Sequence, residues 1–324
     1  MRLLVIGGTQ FFGRALVEAA LARGDAVTVL SRGQKRPPFW DRISHLAVDR
    51  RDHRALAHAL RGVSADAVID NVAFTEADVR AALEGLEGRA GHYILTSTGS
   101  VYHDFTPPAI LRPLPEEAAD LAARGDLPYA EGKRAAEQLL QAERAVPFTI
   151  IRPPIVQGPH DASLRGWFWY QRVADGGPVL VPALYPQPAW RQAFSRDLAA
   201  AFLLAAGNPA AFGKTYNVAS AEILTLEDFV RLTARIAGVP DPVVPVAQER
   251  LTEEAPWYEP PYAHRFVMDI SRIQRDLGFR PTPYAEWLEE TIRWHMSAGL
   301  PVAAGYARRE DEVALAARLS PAAT

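Results

Sequence analysis

The sequence predicts an α/β protein whose core is a doubly wound parallel sheet. Three observations support this prediction. Short apolar runs alternate with segments of helical periodicity over about the first hundred residues, a glycine-rich turn follows the first run, and the alternation stops after Gly158. Regular alternation of this kind is typical of parallel sheets with helices on both faces. The hydrophobic fraction of 48% and the charged fraction of 23% are ordinary for a globular protein.

The predicted elements follow one another from the N-terminus in strand–helix order. Residues 3–6 form an apolar run that stops at a glycine pair, residues 12–22 have helical periodicity, and residues 26–30 are rich in β-formers. This order is that of a βαβ unit. The later elements are strands at 45–48, 67–69 and 92–96, and helices at 53–60 and 76–86.

The turn after the first strand reads Gly-Gly-Thr-Gln-Phe-Phe-Gly and ends at Gly13. Glycines in such a turn let the backbone approach a pyrophosphate, which then binds at the helix N-terminus. Gln10 stands where the usual spacing has a middle glycine, so it can shift the cofactor or weaken its binding. Glycine-rich turns that bind nothing also occur, and this alternative stays open. The predicted cofactor contacts of the turn are Gly7, Thr9, Gln10, Phe11, Phe12 and Gly13.

The end of the second strand bears on the choice of nucleotide. An acidic residue here would bind the ribose 2′-hydroxyl of NAD, but the chain has Ser31 followed by Arg32. A guanidinium can pair with a 2′-phosphate, so the sequence favours NADP over NAD. The alternative is that Arg32 stacks on the adenine or faces solvent. Asp49 and Arg50 end the third strand and are further predicted contacts, although Asp49 can equally cap the next turn.

Tyr129 and Lys133 lie four residues apart in a predicted helix and therefore on one face. There an ammonium can lower the pKa of the phenol and help it to exchange a proton. Lysine is rare in this arginine-rich chain, which has lysines only at 35, 133 and 214, so its presence here indicates a specific need. Asp126 and Pro128 suit the start of this helix.

In these features the chain resembles the extended short-chain dehydrogenase/reductase family, the group of NAD-dependent epimerases, dehydratases and related reductases. The matching segments are the glycine turn, residues 70–73 and 95–102, Tyr129 with Lys133 and Glu137, and residues 151–159, 191–197, 216–218 and 269–281. The resemblance implies a Rossmann-type fold with a smaller, mostly helical C-terminal substrate domain. It also implies that Thr98, Tyr129 and Lys133 are catalytic. Further cofactor contacts implied by it are Asn71, Val72, Ala73, Thr96, Ser97, Lys133, Pro153 and Ile155.

The resemblance implies proton exchange by Tyr129 at a carbinol or carbonyl oxygen, alongside hydride transfer to or from the nicotinamide. Thr98 would hydrogen-bond the same substrate oxygen. The implied substrate contacts are Thr98, Gly99, Ser100, Gln157 and Arg191, the last as a phosphate clamp or a surface ion pair. The related 4,6-dehydratases have Asp-Glu directly after the threonine, and Gly99-Ser100 cannot perform that acid–base work. Epimerisation and carbonyl reduction both remain open, on a nucleotide-sugar or a related small molecule.

The second half of the chain is expected to complete two domains. Residues 1–158 with about 191–220 would form the cofactor domain, and residues 159–190 with 221–300 the substrate domain. Residues 301–324 would be a peripheral tail. The aromatic run Trp167-Phe168-Trp169-Tyr170 would either line the substrate pocket or pack in a core or dimer interface.

The amino-acid composition narrows the functional classes to which the protein can belong. The chain has no cysteine, which excludes disulfides and thiolate chemistry, and its histidines show no metal-ligand spacing. The net charge of −3 gives no general attraction to nucleic acids or membranes, and no run is long enough for a signal peptide or membrane span. We therefore expect a cytoplasmic enzyme without a metal, and the resemblance adds a homodimer. The rival hypothesis is a non-catalytic nucleotide- or RNA-binding protein, because chloroplast RNA-binding relatives share the Gly-Gly-Thr-x-Phe turn.

Overall fold

The computed structural model describes residues 1–102, 112–122, 127–143, 145–183, 189–261 and 267–319. The strands in this part of the chain are β1 (Arg2–Ile6), β2 (Ala26–Ser31), β3 (Ser44–Ala47), β4 (Ala67–Asp70), β5 (Tyr93–Thr96), β6 (Phe148–Arg152), β7 (Val156–Gln157), β8 (Val179–Ala183), β9 (Ala189–Trp190), β10 (Ala193–Phe194), β11 (Lys214–Asn217), β12 (Leu224–Thr225) and β13 (Val243–Ala247). The α-helices are α1 (Phe11–Ala22), α2 (His53–Leu60), α3 (Glu76–Leu86), α4 (Pro128–Ala142), α5 (Arg165–Ala174), α6 (Ser195–Ala205), α7 (Leu226–Ala237), α8 (Gln248–Glu254), α9 (Ser271–Leu277), α10 (Tyr284–Ser297) and α11 (Arg309–Leu319).

The central element is a seven-stranded sheet in the order β11-β6-β5-β4-β1-β2-β3. All six neighbouring pairs are parallel. The predicted fold class is therefore confirmed. The strand order reverses between β1 and β4, and the crevice beyond the carboxyl ends of such a strand pair is the usual ligand site of an open α/β sheet.

Helices cover both faces of the sheet, as a parallel sheet requires. One hydrophobic cluster joins β1 and β2 to α1, α6 and α9. The other joins the opposite face to α2, α3 and α4. Residues 270–279 contribute Ile273 and Phe279 to the first of these clusters, so this stretch packs on the sheet. The sequence had placed it with the substrate domain, and this assignment is corrected.

A second lobe forms around its own hydrophobic cluster, in which α5, α7, α10 and α11 surround the parallel pair β8–β13. The aromatic run 167–170 is buried here, which makes it part of this core. The predicted peripheral tail is also corrected, because α11 packs into the same cluster. Glu312 of α11 is fully buried and pairs with buried Arg172 at 2.9 Å, so helix α11 is an integral part of the lobe.

Candidate functional site

Two cavities lie side by side along the carboxyl edge of the sheet, where β1 and β4 diverge. The tyrosine cavity has a volume of about 680 Å³ and the arginine cavity about 530 Å³. The tyrosine cavity is lined by Gly7, Thr9, Gln10, Phe11, Phe12, Gly13, Asn71, Val72, Phe74, Thr96, Ser97, Thr98, Ser100, Tyr129, Lys133, Pro153, Pro154, Ile155, Val156, Asp161, Ala162, Ser163 and Arg165. The arginine cavity is lined by Gly7, Thr9, Gln10, Leu30, Ser31, Arg32, Gly33, Gln34, Lys35, Val48, Asp49, Arg50, Arg51, Val72 and Phe74. They share the glycine turn and together form one cleft.

The glycine turn has a shape that only glycine can give it. Gly7 has φ +86°, and a Cβ there would lie 2.7 Å from a methyl carbon of Val72. A Cβ on Gly13 would lie 2.2 Å from the carbonyl oxygen of Gly7. Gln10, in contrast, has extended backbone (φ −139°, ψ 154°), which any residue can adopt. The middle glycine of the usual motif is therefore not needed for the turn to form.

The N-terminus of helix α1 fits an anionic group. Its N-cap residue makes no side-chain cap, and its first turn contains no acidic residue. The first backbone N–H groups of a helix lack intrahelical acceptors, and the helix dipole favours negative charge there. Phe11, the first residue of the helix, has φ +48°. Such left-handed geometry is costly for a bulky residue and concentrates at functional sites.

Lys133 lies beneath the tyrosine cavity and is only 1% exposed. Its Nζ donates hydrogen bonds to the carbonyl oxygens of Ala73 at 2.7 Å and Thr96 at 2.6 Å. Burial lowers the pKa of Lys133 to about 8. The ammonium lies 5.8 Å from the centre of the Tyr129 ring and 4.9 Å from that of Phe74. Lys133 therefore ties the ends of β4 and β5 together directly below the tyrosine.

The phenol of Tyr129 stands at the cavity wall beside Thr98, whose hydroxyl donates to Ser100 Oγ at 3.2 Å. Burial raises the pKa of Tyr129, while the neighbouring Thr98 side chain and the charge of Arg165 act in the opposite direction. The sequence predicted that Lys133 would lower this pKa. In the structure the ammonium is directed at backbone carbonyls instead. The helix that carries Tyr129 and Lys133 begins after Leu127, and the predicted cap Asp126 lies outside the described residues.

The end of strand β5 is held from two sides. The Thr96 hydroxyl donates to Asn71 Oδ1 at 2.8 Å, and the amide of Asn71 donates to the carbonyl of Gly7 at 3.3 Å. The Ser97 hydroxyl donates to Glu137, whose carboxylate accepts from Arg152 Nε at 2.9 Å. These contacts place Thr98 at a fixed point between the glycine turn and helix α4.

Four predicted contacts do not present a side chain to the tyrosine cavity. Ala73 contributes its carbonyl oxygen to Lys133 and does not line the wall. Gly99 is buried behind the wall, where its N–H bonds the Pro153 carbonyl at 2.7 Å. Gln157 is 1% exposed and accepts from the hydroxyl of Tyr170.

Arg191 likewise does not reach the cavity. Its guanidinium donates to the backbone carbonyls of Ser220 at 2.7 Å and Ala221 at 3.1 Å, and also to that of Met268. Three carbonyl acceptors fix the side chain within the protein. The predicted substrate-binding roles of Gln157 and Arg191 are therefore corrected, because both side chains are occupied elsewhere.

The arginine cavity holds the predicted contacts at the ends of β2 and β3. Arg32 is exposed at its rim, and the Ser31 hydroxyl lies 3.0 Å from His45 Nε2. Asp49 pairs with Arg51 at 2.8 Å, and these hydrogen bonds lower the pKa of Asp49 to about 2. Arg50 lines the cavity, but its guanidinium is buried between two acids, Asp70 and Asp78.

Residues 7–164 match the family model described as NAD(P)H-binding. This segment is similar to NAD(P)H-binding domains. The matched segment begins at the first glycine of the turn, directly after β1, and ends just before helix α5. It includes the sheet strands β2 to β6 and the residues before Arg165 that line the two cavities.

Two curated proteins are similar to this chain over about three quarters of its length. The chloroplast stem-loop binding protein of 41 kDa b from Arabidopsis thaliana is 30% identical over 257 residues, which are 75% of this chain and 65% of that protein. The 2-alkyl-3-oxoalkanoate reductase of Stenotrophomonas maltophilia is 29% identical over 265 residues, 74% of this chain and 77% of that protein. The match thus spans just under two thirds of the chloroplast relative's length.

A solved structure with the same fold is the Thermus thermophilus UDP-glucose 4-epimerase in complex with NAD. It has a TM-score of 0.72 and 24% sequence identity, and the match covers 92% of this chain and 100% of that one. The match to the NAD(P)H-binding family model, the shared fold and the similarity to the chloroplast protein agree with the resemblance to the extended short-chain dehydrogenase/reductase family.

The cleft also contains residues that the sequence did not predict. Phe74 lines both cavities directly after residues 70–73. Pro154 and Val156 belong to the recognised segment 151–159, but they were not among its predicted contacts. Ser163 and Arg165 lie where the regular alternation has stopped, and no motif marks them. The only sequence signal near these residues was the end of the strand–helix alternation at Gly158.

No helix in the described ranges is both long and apolar enough to cross a membrane. In the same part of the chain, no group of three or more His, Cys, Asp or Glu side chains is placed to hold a metal ion.

Proposed function

We propose that this protein is an NAD(P)-dependent oxidoreductase or epimerase that acts at a carbinol or carbonyl centre of a small molecule such as a nucleotide-sugar. The observation that carries the proposal is the presence of Thr98, Tyr129 and Lys133 in one cavity that also contains the glycine turn. A nucleotide bound on the turn would extend toward these three side chains, since the two cavities share their lining at Gly7 and Val72.

The three side chains have separate tasks in this proposal. A bound nicotinamide nucleotide supplies or accepts a hydride. Tyr129 gives a proton to, or takes one from, the substrate oxygen, because its phenol stands at the cavity wall. Thr98, which lines the same cavity wall, binds the same oxygen and stabilises the charge that develops on it. Lys133 holds the ends of β4 and β5 in place and supplies positive charge beneath the phenol.

NADP is the proposed preference. Ser31 and Arg32 end β2 without an acid, and Lys35 lines the same cavity. Asp49 is the acid on this wall among the described residues, and it is already paired with Arg51. A 2′-phosphate would therefore meet positive charge rather than a free carboxylate.

A 4,6-dehydratase reaction is not part of the proposal. The two positions after Thr98 are Gly99 and Ser100, and neither can act as a carboxylic acid or carboxylate. A non-catalytic RNA-binding role, which the printed name of the chloroplast relative suggests for that protein, receives less support. This chain has all three side chains needed for proton and hydride exchange, and they lie together.

Nucleotide binding is the direct test. Titration calorimetry of the purified protein with NAD, NADH, NADP and NADPH should show binding below millimolar concentration. Gly7→Ala should abolish it, because the added Cβ meets Val72 at 2.7 Å. Gly24→Ala is the matched control: its φ of +87° imposes the same backbone strain, but nothing lies within 4 Å of the added carbon. A wild-type protein that binds none of the four nucleotides at millimolar concentration would overturn the proposal.

A further inference from the structure

Arg165 is a charged residue of the tyrosine cavity that the chemistry above does not use. It is the first residue of helix α5, in the second lobe, and its side chain is exposed at the cavity wall. Within the described ranges, no carboxylate lies at ion-pair distance from its guanidinium. Lys133, the other cation of this wall, is already bonded to two backbone carbonyls. Arg165 therefore presents a positive charge that is held in no ion pair to the space where the substrate would lie.

The acid in the lining of this cavity, Asp161, makes no ion pair with Arg165, although the charge of Arg165 acts to lower the pKa of Asp161. Asp161 is 3% exposed, and its carboxylate accepts hydrogen bonds from the backbone N–H of Ser163 at 2.8 Å and from its hydroxyl at 2.9 Å. Burial raises the pKa of Asp161. Asp161 thus serves to fold the segment before α5, and the guanidinium of Arg165 is left to interact with whatever enters the cavity.

The position of Arg165 is defined by the backbone and lies close to the reacting group. Leu164, the N-cap residue of α5, has left-handed geometry with φ +53°. This is one of only four such non-glycine residues in the described ranges, and Phe11 and His160 are two of the others. Phe11 lines the tyrosine cavity, and His160 and Leu164 flank its wall residues 161–163, so three of the four strained residues lie in or next to this wall. The charge of Arg165 is near enough to Tyr129 to lower the pKa of the phenol.

We propose that Arg165 binds an anionic group of the substrate, a carboxylate or a phosphate, while Thr98 and Tyr129 bind its carbonyl or carbinol oxygen. The substrate class is then an anionic carbonyl or carbinol compound rather than a neutral one. Arginine suits this task because its planar guanidinium makes two parallel hydrogen bonds to either anion. This inference rests on the proposed function, since it concerns the same cavity.

The cofactor's own phosphates are expected elsewhere. The N-terminus of α1 and the glycine turn face them from the sheet domain, whereas Arg165 begins a helix of the other lobe. A substrate held by Arg165 on one side and by Thr98 on the other would be oriented across the cavity, which is how a bidentate clamp contributes to rate and specificity.

The experiment compares charged probes with matched neutral ones on the nucleotide-saturated protein. Titration calorimetry is run with UDP against uridine, for the phosphate source, and with 3-oxodecanoate against its methyl ester, for the carboxylate source. The wild type should bind at least one anion about tenfold or more tightly than its neutral partner. Arg165→Ala should remove that preference and leave the Kd for NAD(P) within about twofold. Arg235→Ala, an exposed arginine on α7 that lines neither cavity, is the control and should keep the preference.

The possible failures have separate meanings. A wild type that prefers neither anion, or an Arg165→Ala variant that retains the preference, overturns the assignment of Arg165. A variant that loses NAD(P) affinity by the same factor as anion affinity also overturns it, by placing Arg165 on the cofactor. Failure of the proposed function itself is seen beforehand, as absence of NAD(P) binding to the wild-type protein.

Discussion

The tyrosine cavity and the arginine cavity belong to one cleft, but they hold their functional groups in different ways. In the first, Lys133 is 1% and Thr98 7% exposed, and both are fixed by hydrogen bonds to strand ends or neighbouring side chains. In the second, Arg32 and Lys35 extend from an exposed loop. Chemistry requires groups placed to within a fraction of an ångström, whereas recognition of a phosphate charge tolerates long side chains at the surface.

The contrast predicts that substitutions in the tyrosine cavity act on rate and those in the arginine cavity on the choice of nucleotide. The largest effect should come from Tyr129→Phe. Removal of the phenolic hydroxyl takes away the proposed acid and base, which contributes about 10²–10⁴-fold to rate. Turnover should fall by about 10³-fold, measured by cofactor absorbance at 340 nm, with the Kd for NAD(P) unchanged within about twofold.

Tyr306→Phe is the matched control for this change. Tyr306 lies in the second lobe, where its hydroxyl donates to Asp175 at 2.9 Å, far from the cavity lining. Its loss should leave turnover within about twofold of wild type. Retained turnover in Tyr129→Phe would sink the catalytic assignment and, with it, the contrast between the two cavities.

The next largest effect on turnover should come from Lys133, and the pH dependence of kcat/KM tests the role of its charge. Its pKa is lowered to about 8 by burial, so its ammonium loses the proton as the pH rises through about 8. The positive charge beneath Tyr129 is then lost, and kcat/KM should decline above that pH. Because kcat/KM reports the free enzyme, the relevant pKa is that of the unliganded protein.

The Lys133→Arg variant distinguishes the contribution of the positive charge to turnover from that of the compact ammonium shape. A guanidinium keeps its proton at these pH values but cannot reproduce a compact ammonium between the carbonyls of Ala73 and Thr96. Turnover should fall by about 100-fold, and the decline of kcat/KM near pH 8 should disappear from the residual activity. An arginine variant with wild-type turnover would show that only the charge matters.

Much of the sheet domain could be predicted from sequence because buried parallel strands are short apolar runs bounded by glycine. Its first five strands, β1 to β5, all match the predicted ranges within one residue at each end. Only β3 is shifted as a whole, by one residue. It is an edge strand with no fully buried residue, so its polarity pattern is weak. Helix α11 was misjudged because its buried face contains the charged residues Arg309 and Glu312, whose pairing is invisible in the sequence.

The site could be predicted where a sequence motif fixes the backbone. It could not be predicted where the direction of a side chain determines whether that side chain lines the cavity. Val156 lines the tyrosine cavity, and Gln157 points away from it, because successive residues of a strand face opposite sides. Arg191 matched a family segment, yet its guanidinium is consumed by three carbonyls. Arg165 stood in no motif, and only the folding of the second lobe brings it beside Tyr129.

A further prediction concerns the buried pair of Glu137 and Arg152, which supports the tyrosine cavity from below. Glu137 is fully buried, accepts from Ser97 and pairs with Arg152, which is 2% exposed. Glu137→Gln leaves the guanidinium buried without its counter-charge, which should cost about 3 kcal/mol of unfolding free energy. Urea denaturation measures this loss. Glu289→Gln, which breaks the exposed helical pair with Arg293, should cost less than about 0.5 kcal/mol. Equal losses would contradict the idea that the buried pair supports the site.

The smallest effect is expected from a substitution of Arg32. It tests most directly whether the arginine cavity determines the choice of nucleotide and the tyrosine cavity the rate. Arg32→Ala removes one exposed guanidinium from the arginine cavity, so the Kd for NADP should rise by about tenfold while that for NAD changes by less than twofold. Because the residue lies at the far end of the cleft from Tyr129, kcat with saturating nucleotide should stay at the wild-type value. Equal losses for the two nucleotides would remove the 2′-phosphate argument and leave Arg32 as a surface contact with the adenine. A fall in kcat would show instead that the two ends of the cleft are coupled, so that the exposed loop helps to place the nicotinamide.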